Sequence, residues 1–205
     1  MRIRVLTFLM TTLLLMPVAA RAQDFGVMES AETIDRGTFK LKVNPMWLFG
    51  RDGADGAAGV NIGAGYGVTD RFDVEGAVAF YDDFKFFGGN AEYWLLRRDE
   101  HDIDMSVSGG VHFGRGEFLL DRRGIDLTFL VSKLIRPRLE LYGGLDFAFE
   151  SIEDDFFEDD FTTVHLVPGI EYAINQDLDF VAELGLGLNN NSNHYISGGL
   201  AYYFR

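Results

Sequence analysis

Hydrophobic residues recur at every second position through most of the chain, which is the pattern of β-strands with one apolar face. Near the start, Phe39, Leu41 and Val43 alternate with Lys40 and Lys42. Ten segments show this alternation, and the fourth and sixth are the least regular. The predicted strands cover 39–49, 60–68, 72–80, 90–96, 103–113, 125–134, 139–150, 164–172, 178–188 and 196–204.

The lengths of these segments and of their connections favour a sheet that crosses a membrane. A tilted transmembrane strand needs about 9 to 11 residues, whereas soluble strands are most often about 5 to 6 long. The short connections at 69–71, 97–102, 135–138 and 173–177 alternate with mostly longer ones at 50–55, 81–87, 114–124, 151–161 and 189–193. Only a closed sheet satisfies all of its backbone groups in lipid. We therefore predict an all-β protein, a transmembrane antiparallel up-and-down β-barrel of about ten strands, with eight strands as the alternative.

The first residues have the features of a secretory signal peptide. Arg2 and Arg4 precede an apolar stretch that ends at Ala20-Arg21-Ala22. A charged start, an apolar centre and an A-x-A end predict cleavage before Gln23, and the apolar run is too short for a spanning helix. The chain has no cysteine, which excludes a lipid anchor at the cleavage point and any disulfide. We predict residues 1–22 as signal peptide, 23–36 as a periplasmic or plug segment, and 37–205 as the barrel.

The net charge of the chain is strongly negative, at −14. Loss of Arg2, Arg4 and Arg21 with the signal peptide lowers it to about −17 by the same count. Binding to DNA or RNA requires a basic face, so this balance argues against nucleic acid as a partner. Arginines fall in the short connections and acids in the long ones, so the two ends of the predicted barrel differ in charge.

The last strand carries a motif that identifies a family. Ser197-x-Gly199-x-x-Tyr202-x-Phe204 resembles the C-terminal insertion signal of bacterial outer-membrane β-barrel proteins, although Arg205 follows the aromatic residue with which such chains usually end. Together with the strand pattern, it makes the chain similar to the small members of that family. The resemblance implies location in the cell outer membrane, insertion by the barrel assembly machinery, and contact with outer-membrane lipid and lipopolysaccharide. It implies no single activity, because fold does not fix function.

The alternation also predicts which side chains face the lumen. Acids dominate there, and we expect Lys40 and Lys42 to face them. The predicted acidic ring near the periplasmic end consists of Asp73, Glu75, Glu92, Asp104, Glu140, Glu171 and Asp179. Ten strands leave at most a narrow passage. The sequence therefore leaves open a plugged, salt-bridged structural core or a thin passive channel that prefers cations.

Two other functional classes remain as alternatives. A barrel-embedded hydrolase could use His112, His165 or His194 near the external strand ends, with acids such as Asp126, Asp146 and Glu150. The chain lacks G-x-S-x-G and H-E-x-x-H motifs, and His194 and Ser197 point to opposite faces of a strand, so we predict no enzymatic activity and no cofactor.

An acidic and aromatic stretch in the fourth long connection is the remaining candidate for function. Its acids are Glu153, Asp154, Asp155, Glu158, Asp159 and Asp160. They are weak candidates to bind Ca²⁺ or Mg²⁺ at an external loop, because the stretch lacks the D-x-D-x-D-G spacing. The same stretch could serve an adhesive or partner-binding barrel, and a solvated loop is the simplest interpretation.

Overall fold

The computed structural model describes residues 26–50, 55–81, 84–116, 121–153 and 158–205. Ten antiparallel strands form one closed barrel, in which each strand pairs with its neighbours in sequence and β1 pairs with β10. The fold prediction is therefore confirmed, with ten strands and not eight. The strands are β1 (Phe39–Leu48), β2 (Ala57–Thr69), β3 (Phe72–Tyr81), β4 (Phe84–Leu96), β5 (Asp104–Gly116), β6 (Asp121–Arg136), β7 (Leu139–Glu153), β8 (Glu158–Ala173), β9 (Leu178–Gly187) and β10 (Tyr195–Phe204).

The apolar face of the sheet lies on the outside of the barrel. Phe39, Leu41 and Val43 are about half exposed, whereas Lys40 and Lys42 between them are buried. The same alternation holds around the barrel, so the exposed surface is a band of aliphatic and aromatic side chains, as a lipid-facing surface requires. The sequence period thus predicted the inward and outward faces correctly.

The strands extend further than the alternation predicted. β4 begins at Phe84 and not near residue 90, β6 covers Asp121–Arg136, and β8 begins at Glu158. The predicted long connections at 81–87, 114–124 and 151–161 are therefore largely strand, and their length does not distinguish one end of the barrel from the other. Main-chain pairing does not depend on an apolar side chain, so charged residues continue the hairpins: Glu150 pairs with Phe161 in the β7–β8 ladder.

One proline and one short helix interrupt the regular pattern. Pro45 pairs with Val60 of β2, but the β1–β10 ladder passes from Val43 to Met46 without a partner for Asn44 or Pro45. This is the unpaired position that a proline within a strand predicts, since it lacks an N–H donor. In the β4–β5 connection a single helical turn, α1 (Arg98–His101), ends at Asp102 in a left-handed conformation. Among the described residues no helix is long and apolar enough to cross a membrane.

Residues 26–36 lie inside the barrel and are called here the luminal segment. The end of the barrel where β1 begins and β10 finishes is called the turn end, and the opposite end the loop end. The segment runs from about mid-height to the turn end, where Gly37 N–H donates to Gly67 O over 2.8 Å and the chain turns into β1. A Cβ on Gly67 would lie 2.1 Å from the carbonyl oxygen of Asp35. Only glycine at this position lets the segment approach the wall.

Candidate functional site: the barrel lumen

One side of the luminal segment packs into an apolar patch on the barrel wall. Val27, Met28 and Ala31 are all buried. They form one cluster with Leu130, Tyr142, Val167 and Val181. These apolar side chains of the barrel wall provide a dry surface for the segment. Burying this surface stabilises the docked position by the hydrophobic effect.

A single carboxylate holds the inner end of the luminal segment. The N–H groups of Val27 and Met28 donate to the two oxygens of Glu183 over 2.9 and 2.7 Å. The hydroxyls of Tyr142 and Tyr195 donate to the same carboxylate, each over 2.9 Å. Four donors therefore satisfy this buried carboxylate, which forms no ion pair with the residues that the structure describes. Two of the donors belong to the segment, so its position depends on this residue.

The opposite side of the luminal segment carries an ionic cluster. Glu29 accepts from Lys40 and Lys42 at 3.2 and 3.5 Å, and Glu75 lies 2.6 Å from Lys40 and 3.0 Å from Lys42. All four side chains are less than a tenth exposed. Two lysines on β1 are thus matched by one acid from β3 and one from the segment. Removing Glu29 from this site would leave two ammonium groups with one carboxylate.

A third set of contacts closes the turn end around one arginine. Arg98 of α1 binds Glu32 of the luminal segment, Asp104 of β5 and Glu140 of β7, the last at 2.8 Å. Partial burial raises the pKa of Glu32 to about 7, although the Arg98 guanidinium acts to lower it. Three carboxylates therefore share one guanidinium, and of the three only Glu32 belongs to the luminal segment.

Two further clusters fill the loop end with side chains of the strands themselves. His112 contacts Asp126 through Nδ1 at 2.7 Å and Glu150 through Nε2 at 2.8 Å, while Arg122 binds Glu150 with two hydrogen bonds. Carboxylates at both ring nitrogens fit an imidazolium that donates twice. Beside this network lies a second apolar cluster, formed by Met46, Leu48, Ala57, Ala79, Tyr81, Phe86 and Tyr195.

The space left in the lumen is a cavity of about 80 Å³ beside the luminal segment. Its wall on β3 to β5 is rich in glycine and includes Gly76, Gly88 and Gly110. Its polar lining runs from the ionic cluster to the loop-end network and comprises Glu29, Lys42, Asn61, Glu75, Asn90, Ser108, His112, Asp126, Thr128 and Asp146. The lumen is therefore largely filled, but it contains a polar space on one side of the segment.

The residues predicted as an acidic ring lie on the inner face at the turn end, and several of them contact the luminal segment. Asp73 accepts from Ile34 N–H at 2.7 Å, Glu171 accepts from Ser30 N–H at 3.3 Å, and Glu75 and Glu140 join the two ionic clusters described above. Asp104 and Glu92 are buried, whereas Glu171 and Asp179 are only partly buried.

Sequence reasoning missed Glu183, which holds the inner end of the luminal segment. It also missed Glu29 and Glu32 of that segment, which bind the lysines of β1 and Arg98. Leu130, Val167 and Val181 are apolar residues on the inner face, and they break the polar alternation where the luminal segment docks. A second signal was the pairing of inward glycines with tyrosines. A Cβ on Gly169 or Gly185 would collide with the ring of Tyr142 or Tyr195. Both features pointed to a filled lumen.

The C-terminal motif lies at the seam where β10 meets β1. Ser197 and Gly199 face inward, and the Ser197 hydroxyl donates to Pro45 O over 3.0 Å. Tyr202 and Phe204 are exposed on the lipid side, with ring centroids 4.7 Å apart.

Arg205 follows the end of β10 at the turn end of the barrel. Arg205 lies 3.3 Å from Asp35 and 3.9 Å from Asp177. Its partners are therefore acids of the luminal segment and of the β8–β9 turn, because the ring acids face inward and Arg205 follows the end of the strand.

The weak metal candidates are not brought together, whereas the predicted hydrolase residues His112, Asp126 and Glu150 are in contact in the loop-end network. Glu153, Asp159 and Asp160 are exposed on the β7–β8 hairpin, whereas Asp154, Asp155 and the side chain of Glu158 lie outside the described part of the structure. In that described part, no group of three or more His, Cys, Asp or Glu side chains is arranged to hold a metal ion. His165 binds Asn193 O through Nε2, and the exposed His194 accepts from Gly187 N–H.

Comparison with known proteins agrees with the geometry. A family model described as the outer membrane protein beta-barrel domain matches residues 6–204. An outer membrane channel from Pseudomonas putida F1 aligns with a TM-score of 0.55 at 10% identity, covering 85% of this chain and 98% of that chain.

At this identity the channel shows the fold alone. Two porin structures also align with this chain. The NanC porin aligns with a TM-score of 0.48 at 10% identity over 80% of this chain and 100% of that chain. The KdgM porin aligns with a TM-score of 0.46 at 9% identity over 81% of this chain and 99% of that chain. Comparison with curated proteins finds no match. The family model covers nearly the whole chain, and the chain therefore belongs to the outer-membrane protein β-barrel family, whose members are integral to the outer membrane.

Proposed function

We propose that this barrel is a narrow passive channel for small cations, and that the luminal segment closes its turn-end half to larger solutes. The observation that carries this proposal is the position of residues 26–36 inside the lumen, with a polar cavity of about 80 Å³ left beside them. A solute as large as a sugar would have to displace the segment, whereas water and small ions need only the remaining space.

The charges of the lumen favour cations. Asp73, Glu92, Glu171 and Asp179 lie on the inner face at the turn end in addition to the acids that are paired with Lys40, Lys42 and Arg98. An excess of carboxylates along a passage raises the local concentration of cations and repels anions. The channel from Pseudomonas putida F1, which has a similar fold, agrees with a transport role.

The sequence also suggests how the protein reaches its place. We infer export directed by residues 1–22, insertion by the barrel assembly machinery through the C-terminal motif, and contact with phospholipid and lipopolysaccharide at the exposed apolar band. The turn end would face the periplasm, because the chain enters β1 and leaves β10 at this end and export delivers it to the periplasmic side. No enzymatic activity is part of the proposal, since both ring nitrogens of His112 are bound to carboxylates.

A structural barrel without transport is the second candidate. The observation that favours it is the filling of both halves of the lumen by the luminal segment and by the loop-end clusters. In this case the protein would stabilise the membrane or present its external hairpins to a partner. The two candidates make different predictions for ion flow.

Single-channel recording in planar bilayers distinguishes them. We expect the parent protein to give small steps with cation preference, and a variant without residues 26–34 to give larger ones because the turn-end half is open. Folding of each variant is checked by its heat-modifiable migration on a detergent gel. Steps that prefer anions would contradict the channel proposal, and silence of both folded proteins would leave the structural barrel as the function.

A further inference from the structure

Asp146 is a buried carboxylate whose charge is not compensated by a cation. It lies on the inner face of β7 and is only 3% exposed. Its Oδ1 accepts from the Thr128 hydroxyl over 2.6 Å, but its Oδ2 is buried and has no hydrogen-bond partner in the structure. An ionised carboxylate in this position is costly unless a proton or a cation accompanies it.

The neighbouring charges are already paired with each other. Glu29 and Glu75 match Lys40 and Lys42 at the turn end of the cavity. At its other end, Asp126 and Glu150 match His112 and Arg122. His112 lies near enough to act on Asp146, but it is shared with Asp126 and Glu150, so among the described residues Asp146 has no cation of its own.

The residue directly across the β7–β8 ladder does not compensate Asp146 either. This residue is His165, which uses Nε2 to contact Asn193 O, while its buried Nδ1 makes no hydrogen bond. The free oxygen of Asp146 therefore has no donor from the strand beside it.

Asp146 lines the luminal cavity, and a second oxygen without a partner lines the same cavity. Asn90 contributes this oxygen, because its Oδ1 is buried and makes no hydrogen bond. One carboxylate oxygen and one amide oxygen beside a space large enough for several water molecules are suitable ligands for a hard cation of low charge. We propose that this cavity binds one monovalent cation, Na⁺ or K⁺, with Asp146 as its charged ligand and Asn90 as a neutral one.

The ligand set favours a monovalent over a divalent ion. Ca²⁺ takes six to eight oxygen ligands, commonly with several carboxylates. Among the described residues no cluster of three acids or histidines is placed to provide them. The inference deepens the proposed function, since it identifies a position where a cation would lose part of its water as it passes. Binding is measured without current, so it can be tested even if the channel proposal fails.

The test is the thermal stability of the folded barrel in detergent micelles at equal ionic strength in NaCl, KCl and N-methyl-D-glucamine chloride. We expect a melting temperature higher by about 3 °C in the sodium or potassium salt, with saturation as the salt is titrated, because a bound ion stabilises only the folded state. Asp146→Asn should abolish this difference. The control Asp70→Asn, which removes an exposed acid in the β2–β3 turn, should retain it.

A second measurement detects the ion directly. Crystals soaked in Rb⁺ should show an anomalous peak beside residue 146 in the parent and none in Asp146→Asn, and this comparison remains valid if the variant has a different melting temperature. The proposal is wrong if the parent melts at the same temperature in all three salts, if Asp146→Asn responds like the parent, or if Ca²⁺ stabilises the parent more than Na⁺ and K⁺ through the same residue. A protonated Asp146 would produce the first of these results.

Discussion

The two halves of the lumen are filled in different ways. At the turn end, the filling is the luminal segment, which lies outside the sheet and is held by Glu183, by Lys40 and Lys42, and by Arg98. At the loop end, the filling consists of strand side chains such as Phe86 and Tyr81. The luminal segment forms no strand of the barrel, whereas the loop-end side chains belong to the strands themselves.

At the turn end, the luminal segment should therefore be able to undock without a loss of folding stability. At the loop end, the same side chains both fill the lumen and stabilise the fold. Undocking the luminal segment would expose the buried patch around Leu130 and Val167 and would leave the pairing of the ten strands with one another unbroken. Removing a loop-end side chain leaves a void in a cluster that the strands cannot easily close. Variants in the two halves should therefore change different observables, and the following predictions test that separation.

The largest effect is expected from Glu183→Ala. Four donors lose their acceptor, so docking of the luminal segment should weaken by about 3 kcal/mol, or roughly a hundredfold. The chain has no cysteine, so Ser30→Cys provides a single buried thiol whose labelling rate reports undocking. The isosteric Glu183→Gln should have a smaller effect because an amide oxygen still accepts. Unchanged labelling in Glu183→Ala would mean that the apolar patch alone holds the segment.

The opposite pattern is expected for Phe86→Ala at the loop end. Phe86 is buried, stacks on Phe84 at 5.6 Å and meets Tyr81 edge-on at 6.2 Å. Its loss should lower the free energy of unfolding in urea by about 3 kcal/mol, while labelling of Ser30→Cys stays within about twofold. The adjacent Phe87→Ala, on the outward face, is the matched control and should destabilise less in micelles. Fast thiol labelling in Phe86→Ala would show that the halves are coupled.

A smaller effect is expected from Lys42→Met in the ionic cluster. Lys40 remains to serve both Glu29 and Glu75, so docking should weaken by about 1 to 2 kcal/mol and labelling should increase roughly tenfold. The double variant Lys42→Met/Glu75→Gln removes one charge of each sign and should restore most of the protection. If the double variant labels faster than the single one, charge balance does not control this side of the segment.

The smallest effect is a dependence of docking on pH through Glu32. Its pKa is about 7 when the segment is docked, above the ordinary value near 4.5, so the docked state binds the proton more tightly. The contribution of Glu32 to the free energy of docking is therefore most favourable at low pH and is lost as pH rises from about 4.5 to 7. Labelling of Ser30→Cys, corrected with a free thiol peptide, should be slower at pH 5.5 than at pH 8. Glu32→Gln should lose this contribution, and an unchanged profile would exclude Glu32 as its source.

Much of the barrel follows from alternation, because the period of two that sets one face toward lipid also identifies the other face. Lys40, Lys42, Asp73 and Glu140 were assigned to the lumen on this basis, and they lie there. Strand ends were less predictable. The β7–β8 hairpin continues through charged residues because its pairing uses main-chain groups, which leave no trace in hydrophobicity.

The docking of the luminal segment could not be predicted from local pattern. Val27 and Glu183 are 156 residues apart in sequence, and neither belongs to a recognisable motif. Residues 26–36 form no strand or helix, so they have no period from which to infer a buried face. The irregular alternation of the sixth segment around Leu130 was visible, but it suggested a weak strand, whereas the physical cause is a docking surface.

The gap in the β1–β10 ladder at Asn44 and Pro45 has a consequence for the mechanics of the barrel. The luminal segment is continuous with β1, and it is hydrogen-bonded to Glu171 of β8 and Glu183 of β9. It therefore spans the β1–β10 seam from within and ties the first strand to β8 and β9. A force that separates β1 from β10 must also pull the luminal segment away from its contacts inside the barrel. The segment that blocks the pore would thus also resist lateral opening of the wall.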